Sequence, residues 1–260
     1  MSSLSFMNVP AEVRSLIYEY LFDDAGNDRL AIRSAELSRL PKAEDRSRSK
    51  YYVLDHSIVR RCCEATYRLG TKDAYFCAAL MRANRQIYRE TSYLVYGRHS
   101  FDFGGDIEAV QPFLSDITPG SRDLIREISL YKRGPLPGGF ENDRSEWRSL
   151  CRYLGEGACF VRKLRLVVQG GKPAADWKGP KEFSASDLQL LADLKHESLD
   201  WVSDLAKVEI GELEVLPDLH YAPPPTSSQM LIFAAVSASI EKGLTEFLRS
   251  QLRLAPRVGF

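Results

Sequence analysis

Apolar residues recur along the chain at two spacings, and the change from one to the other falls near residue 100. Val13, Leu16, Ile17, Tyr20 and Leu21 follow the i, i+3, i+4, i+7, i+8 series of one helix face. Pro10 suits the first helical turn, where a missing N–H costs nothing, and Glu12 favours the positive end of the helix dipole. So short a helix is marginal alone, so its apolar face is expected to meet something. Asp23 to Asn27 ends it, and the polar, charged residues 34–50 read as an inserted loop. Helix is expected again from Ser57 to Leu69 and from Lys72 or Asp73 to Tyr96. The second of these sets Leu80, Ala83, Ile87, Thr91, Leu94 and Val95 on one side, and Gly97 suits its end.

From Ser100 the period drops to two. Ser100-Phe101-Asp102-Phe103 alternates as a strand does, and Asp106 is placed to cap a helix over Ile107 to Ile117. Strands are expected at Ile125–Tyr131, Val161–Val168 and Val208–Leu216. Between them fall a short helix from Glu146 to Gly155 and a longer one opened by the capping box Ser184-Ala185-Ser186-Asp187 and running to Leu205. Pro223-Pro224-Pro225 breaks the chain before a last helix from Ser227 or Ser228 to about Leu254, striped by Phe233, Val236, Ile240, Leu244, Phe247 and Leu248. Such alternation predicts an α/β fold with parallel strands and right-handed helical crossovers. Two arrangements satisfy it: a degenerate leucine-rich-like solenoid, or a small parallel sheet. The expected organisation is a helical module over 1–97 with its polar insertion at 34–50, an alternating strand/helix domain over 98–222, and a Pro linker with a C-terminal helix over 223–260.

Composition narrows the class. The 260 residues are 44% hydrophobic and 27% charged, ordinary for a globular chain. Thirty-five basic residues balance thirty-five acidic ones, without the basic excess of a dedicated nucleic-acid binder. Arg46, Arg48 and Lys50, with Arg60, Arg61, Arg82, Arg85 and Arg89, leave nucleic acid as the lesser alternative. The five cysteines, Cys62, Cys63, Cys77, Cys151 and Cys159, are odd in number and irregularly spaced, as reduced thiols in a reducing compartment would be. No secretory signal opens the chain, and the apolar run from Met230 through Ile240 falls well short of the ~20 residues that span a bilayer. A cytoplasmic or nuclear location, without a membrane, is expected.

The sequence carries no recognisable catalytic, cofactor or metal set. His56, His99, His196 and His220 stand apart, with no second ligand at helical spacing. Gly170-Gly171-Lys172 follows a strand but lacks the earlier glycine and the Ser/Thr of a phosphate loop, and reads as a turn. Cys62 beside Arg60 and Arg61 has no placed histidine to make it a nucleophile. The expectation is a non-enzymatic protein.

Two segments carry a resemblance. Phe6-Met7-Asn8-Val9-Pro10-Ala11-Glu12-Val13-Arg14 through Ile17-Tyr18 and Leu21-Phe22 is similar to the opening of fungal F-box-like proteins. Leu80-Met81-Arg82-Ala83-Asn84-Arg85-Gln86-Ile87-Tyr88-Arg89-Glu90, continuing to Leu94, Tyr96, Gly97, Phe101 and Phe103, resembles their downstream helix and strand. Val9 stands where such proteins usually have Leu, and the distance from Phe22 to Leu80 exceeds that of a compact F-box. The resemblance implies a helical module that docks on a Skp-type adaptor of a cullin ubiquitin ligase, followed by a domain that recognises a client protein. It implies adaptor contacts through Val9, Pro10, Val13, Leu16, Ile17 and Leu21. The alternative is an F-box-like scaffold that binds another protein without a ligase, its first helix packed internally.

Overall fold

The protein is described by a computed structural model over residues 5–22, 29–36, 51–55, 61–69, 79–134, 141–158, 161–172, 182–221 and 226–252. Its strands are β1 (Arg29–Glu36), β2 (Tyr51–Asp55), β3 (Arg61–Leu69), β4 (Ser100–Gly104), β5 (Glu127–Lys132), β6 (Val161–Lys172) and β7 (Ile210–Tyr221). They form one sheet of seven strands in the order β2-β3-β1-β4-β5-β6-β7. β1, β4, β5, β6 and β7 are mutually parallel, and β3 pairs antiparallel with both β1 and β2.

Alternation along the strands decides which side is covered. In β6, Leu164, Leu166 and Val168 are buried, while Lys163, Arg165, Val167 and Gln169 between them are half-buried. Their neighbours in register repeat the split. Ile128 and Leu130 of β5 and Leu213 and Val215 of β7 are buried beside Leu164 and Leu166, with Phe101 of β4 beside Ile128. The helices occupy this apolar side. They are α1 (Ala11–Phe22), α2 (Arg85–Ser92), α3 (Val110–Asp116), α4 (Pro119–Arg122), α5 (Glu141–Tyr153), α6 (Ala185–Asp193), α7 (Asp200–Leu205), α8 (Ser228–Ala238) and α9 (Thr245–Gln251). Phe113 of α3 packs on Phe101 and Phe103 with ring centroids 5.2 and 5.7 Å away. Trp147 of α5 meets Trp201 of α7 edge-on at 5.9 Å and donates its indole N–H to the Trp201 carbonyl at 3.1 Å. Parallel sheets are usually covered on both faces. Here the described helices lie on the apolar side, and the other face carries the charged side chains, with Thr66, Ser100 and Ser129 buried among them.

The alternating strand–helix units from β4 to β7 stand as expected, in sequential order across the sheet. Ser184 closes its capping box, its hydroxyl accepting from the Asp187 N–H and the Asp187 carboxylate accepting from the Ser184 N–H. Several expectations are corrected. The helix expected from Ser57 to Leu69 is, from Arg61, strand β3, because β1 and β2 supply partners on both its edges. The first 97 residues are accordingly not purely helical, and the parallel pairing of β1 with β4 carries the sheet across position 97. Residues 34–36 of the expected loop belong to β1, and 37–50 lie outside the described residues, as do 72–78 of the next helix, the Pro triplet and 253–260. That next helix is broken at Asn84, whose side chain accepts from the Gln86 N–H at 2.8 Å and starts α2 afresh. The helix expected from Ser184 to Leu205 divides at Lys195, which adopts a left-handed φ of 53°. The last helix is interrupted by a wider turn at Ile240–Leu244. Asp106 does not cap: its carboxylate accepts instead from the Ser34 N–H of β1 at 3.3 Å.

Candidate functional site

Helix α1 turns Arg14 and Tyr18 inward. Arg14, Tyr18 and Phe22, each one turn from the next, are buried, and Tyr18 is 1% exposed. Val13, Ile17 and Leu21 are exposed, Leu16 is 65% exposed and Tyr20 85%. The inversion has a chemical cause. Arg14 donates from Nε to Glu90 Oε2 at 3.1 Å and from Nη2 to Glu90 Oε1, and its Nη1 donates to the carbonyls of Val9 and Met7. The Tyr18 hydroxyl donates to Glu90 Oε2 at 3.0 Å. A guanidinium so engaged can be buried, because four of its five N–H groups exchange water for acceptors, two of them on a carboxylate. Glu90 is held down to about 2, first by the bond from Arg14 and then by those from Gln86 and Tyr18, against the opposing effect of burial. Burial and the neighbouring Glu90 raise the Tyr18 hydroxyl above its ordinary value. Phe6, on the short helical turn Phe6–Asn8 ahead of α1, packs edge-on against Tyr18 at 5.9 Å.

Of the six residues expected to contact an adaptor, five lie exposed at the surface. Pro10, Val13, Leu16, Ile17 and Leu21 are exposed and Val9 is half-buried. The helices that follow do not consume the stripe, which removes the premise of the internally packed alternative. Tyr20 and Phe6 are exposed as well. Tyr20 was visible in the sequence at i+7 from Val13, whereas nothing in the helical period marks Phe6.

The charged face of the sheet is a second polar surface, which sequence reasoning missed. Lys163 of β6 bridges Glu127 of β5 at 3.3 Å and Glu214 of β7 at 2.8 Å. Arg33 of β1 pairs with Asp102 of β4 at 3.0 Å. Asp218 of β7 accepts from the Tyr131 hydroxyl at 2.7 Å and lies 3.1 Å from His220 Nε2, contacts that hold its carboxyl below the usual range. The Tyr131 hydroxyl is pushed up to about 12 by burial and by that carboxylate. The available signal was the alternation of Lys163 and Arg165 with Leu164 and Leu166, a strand with one wet side.

No family model, no curated protein and no solved structure matches this chain. Among the described residues no group of three or more His, Cys, Asp or Glu side chains could hold a metal ion, and no helix is long and apolar enough to cross a membrane. Cys151 is buried with its thiol pushed up to about 12 by desolvation. Of the candidate basic residues, Arg82, Arg85 and Arg89 are exposed around α2, while 46–50 and Arg60 lie outside the described residues.

Proposed function

We propose that this chain is a protein-interaction module that docks through the outward face of α1 on a Skp-type adaptor of a cullin ubiquitin ligase. The observation that carries the reading is the inverted first helix, whose arginine and tyrosine are turned in and whose valine, leucine and isoleucine side chains are turned out. Exposed apolar patches of this kind mark interaction surfaces, and an amphipathic helix in a partner groove is a recurrent way to cover them. The ion pair that fixes the inversion joins Arg14 of the first F-box-like segment to Glu90 of the second, so the two segments that carry the resemblance form one unit.

Titration calorimetry with a purified Skp-type adaptor tests it. Binding is expected with the unmodified chain and lost with Leu16→Asp, whose melting temperature should stay within roughly 2 °C because surface changes seldom cost much. Failure to bind at high micromolar concentration removes the ligase reading. A scaffold that covers the same face with a different protein is then favoured, and the three strands contributed by residues 29–69 already set this chain apart from a purely helical F-box.

A further inference from the structure

Carboxylates and guanidiniums on the charged sheet face are unequally provided for. Asp102 is held by Arg33 and by the Gly104 N–H at 3.1 Å, Glu127 and Glu214 share Lys163, and Asp218 has Tyr131 and His220. Glu212, exposed at the outer end, is the exception. The arginines are the reverse. Arg29 of β1, Arg68 of β3, Arg133 just past β5 and Arg165 of β6 make no side-chain hydrogen bond or ion pair among the described residues, although register places them on or beside the same face. Arg165 lies between Ser129 and Glu214 in the middle of the sheet, and its Nε is buried with no hydrogen-bond partner. A buried donor left unmatched is costly and calls for an explanation. The turn after β4 gathers charge of both signs, with Arg133 acting on the Glu108 carboxyl that burial raises. A Cβ at Gly104 would lie 3.5 Å from the Arg33 guanidinium, and one at Gly105 would lie 3.9 Å from both the Arg133 guanidinium and the Tyr131 ring.

We propose that the charged face between β3 and β6 receives an acidic, extended segment of a partner protein, whose carboxylates engage Arg165, Arg133, Arg68 and Arg29. The dimensions suit it. Four inter-strand steps of ~4.8 Å separate β3 from β6, and about six extended residues cover the same span. Paired guanidinium–carboxylate contacts supply both strength and direction. A nucleic acid suits the face less well, because Glu212, Glu214 and Asp218 line β7 on the same side and would repel a continuing phosphate chain. Strand addition at the β7 edge is disfavoured by Pro217, which has no N–H to offer and is typical of protected edge strands. The proposal does not depend on adaptor docking, which uses a different surface.

The test is fluorescence anisotropy of a labelled peptide alternating Glu and Ser, titrated with the full chain at low salt, beside a Lys/Ser peptide of equal length. The acidic peptide should bind and the basic one should not. Arg165→Glu and Arg133→Glu should each weaken binding at least about tenfold, while Arg152→Glu, exposed on α5 on the helical side, should leave it within about twofold. Arg165→Gln, which introduces no like charge beside Glu214, checks that any loss is not misfolding, as does the circular dichroism of each variant. Leu16→Asp should have no effect, so failure of the adaptor reading is distinguishable from failure of this one. Absence of saturable binding, an equal loss from Arg152→Glu, or an oligothymidylate that binds as tightly and is lost with the same substitutions would overturn the proposal.

Discussion

Arg14 and Glu90 lie 76 residues apart in the chain and grip each other at two points, Nε to Oε2 and Nη2 to Oε1. The pair fixes the rotation of α1 about its own axis. Because Arg14 and Tyr18 both reach Glu90, the side of the helix that carries Val13, Leu16, Ile17 and Tyr20 has to point away from the protein. An amphipathic helix would ordinarily turn this stripe inward. Here a charge-assisted network overrides the apolar period.

The same network makes stability depend on acidity. Glu90 is lowered from its ordinary 4.5 to about 2 in the folded protein. A depressed carboxyl contributes stability that is fully present above the unfolded value and is lost as pH falls through the folded one. The contribution should therefore fade between pH 4.5 and about 2. Glu90→Gln should be less stable than the unmodified chain at neutral pH, with the gap narrowing across that window. Urea melts at pH 7, 4 and 3 measure it, and a gap that stays constant would refute the assignment.

The sheet from β4 onward was legible because each strand turns one apolar side inward, so Phe101 and Phe103, Leu164 and Leu166, and Leu213 and Val215 print a two-residue period on the sequence. Strand β3 was not. Arg61-Cys62-Cys63-Glu64-Ala65-Thr66 carries no clean alternation, and its conformation is settled by pairing with β1 and β2, which no local window contains. The α1 surface was half legible. The period identified the stripe, but its outward orientation depends on Glu90, far along the chain. Arg33 and Arg133 both reach the turn after β4 only through the β1–β4–β5 order, which the alternation of elements does not specify.

Close backbone approach gives a second prediction. A Cβ at Gly243 would stand 2.1 Å from the carbonyl oxygen of Phe183, in the wide turn at Ile240–Leu244 that lets the last helix pass the start of α6. A backbone atom cannot move aside as a flexible side chain can, so Gly243→Ala should destabilise by about 1–3 kcal/mol. Gly120 in α4 has nothing within 4 Å of the same added atom. Gly120→Ala should be neutral or slightly stabilising, since alanine is the better helix residue. Thermal melts should show a clear drop for Gly243→Ala and none for Gly120→Ala, and equal shifts would show that the approach at Gly243 is not limiting.

Trp147 carries the third. It is among the largest fully buried side chains, it donates to the Trp201 carbonyl at 3.1 Å, and the buried Lys132 ammonium lies over its ring at 5.6 Å while donating to the Arg133 carbonyl at 2.9 Å. Three elements, β5, α5 and α7, thus meet on one indole. Trp147→Phe keeps a ring but removes the indole N–H from the Trp201 carbonyl and loosens the packing under Lys132, a loss of roughly 1 kcal/mol. Trp147→Ala removes the support as well and should cost roughly 3–5 kcal/mol. The difference between the two isolates the ring from its N–H. Guanidinium melts followed by far-ultraviolet circular dichroism would resolve it, and equal destabilisation by the two substitutions would mean that the hydrogen bond, and not the buried ring, holds α5 to α7.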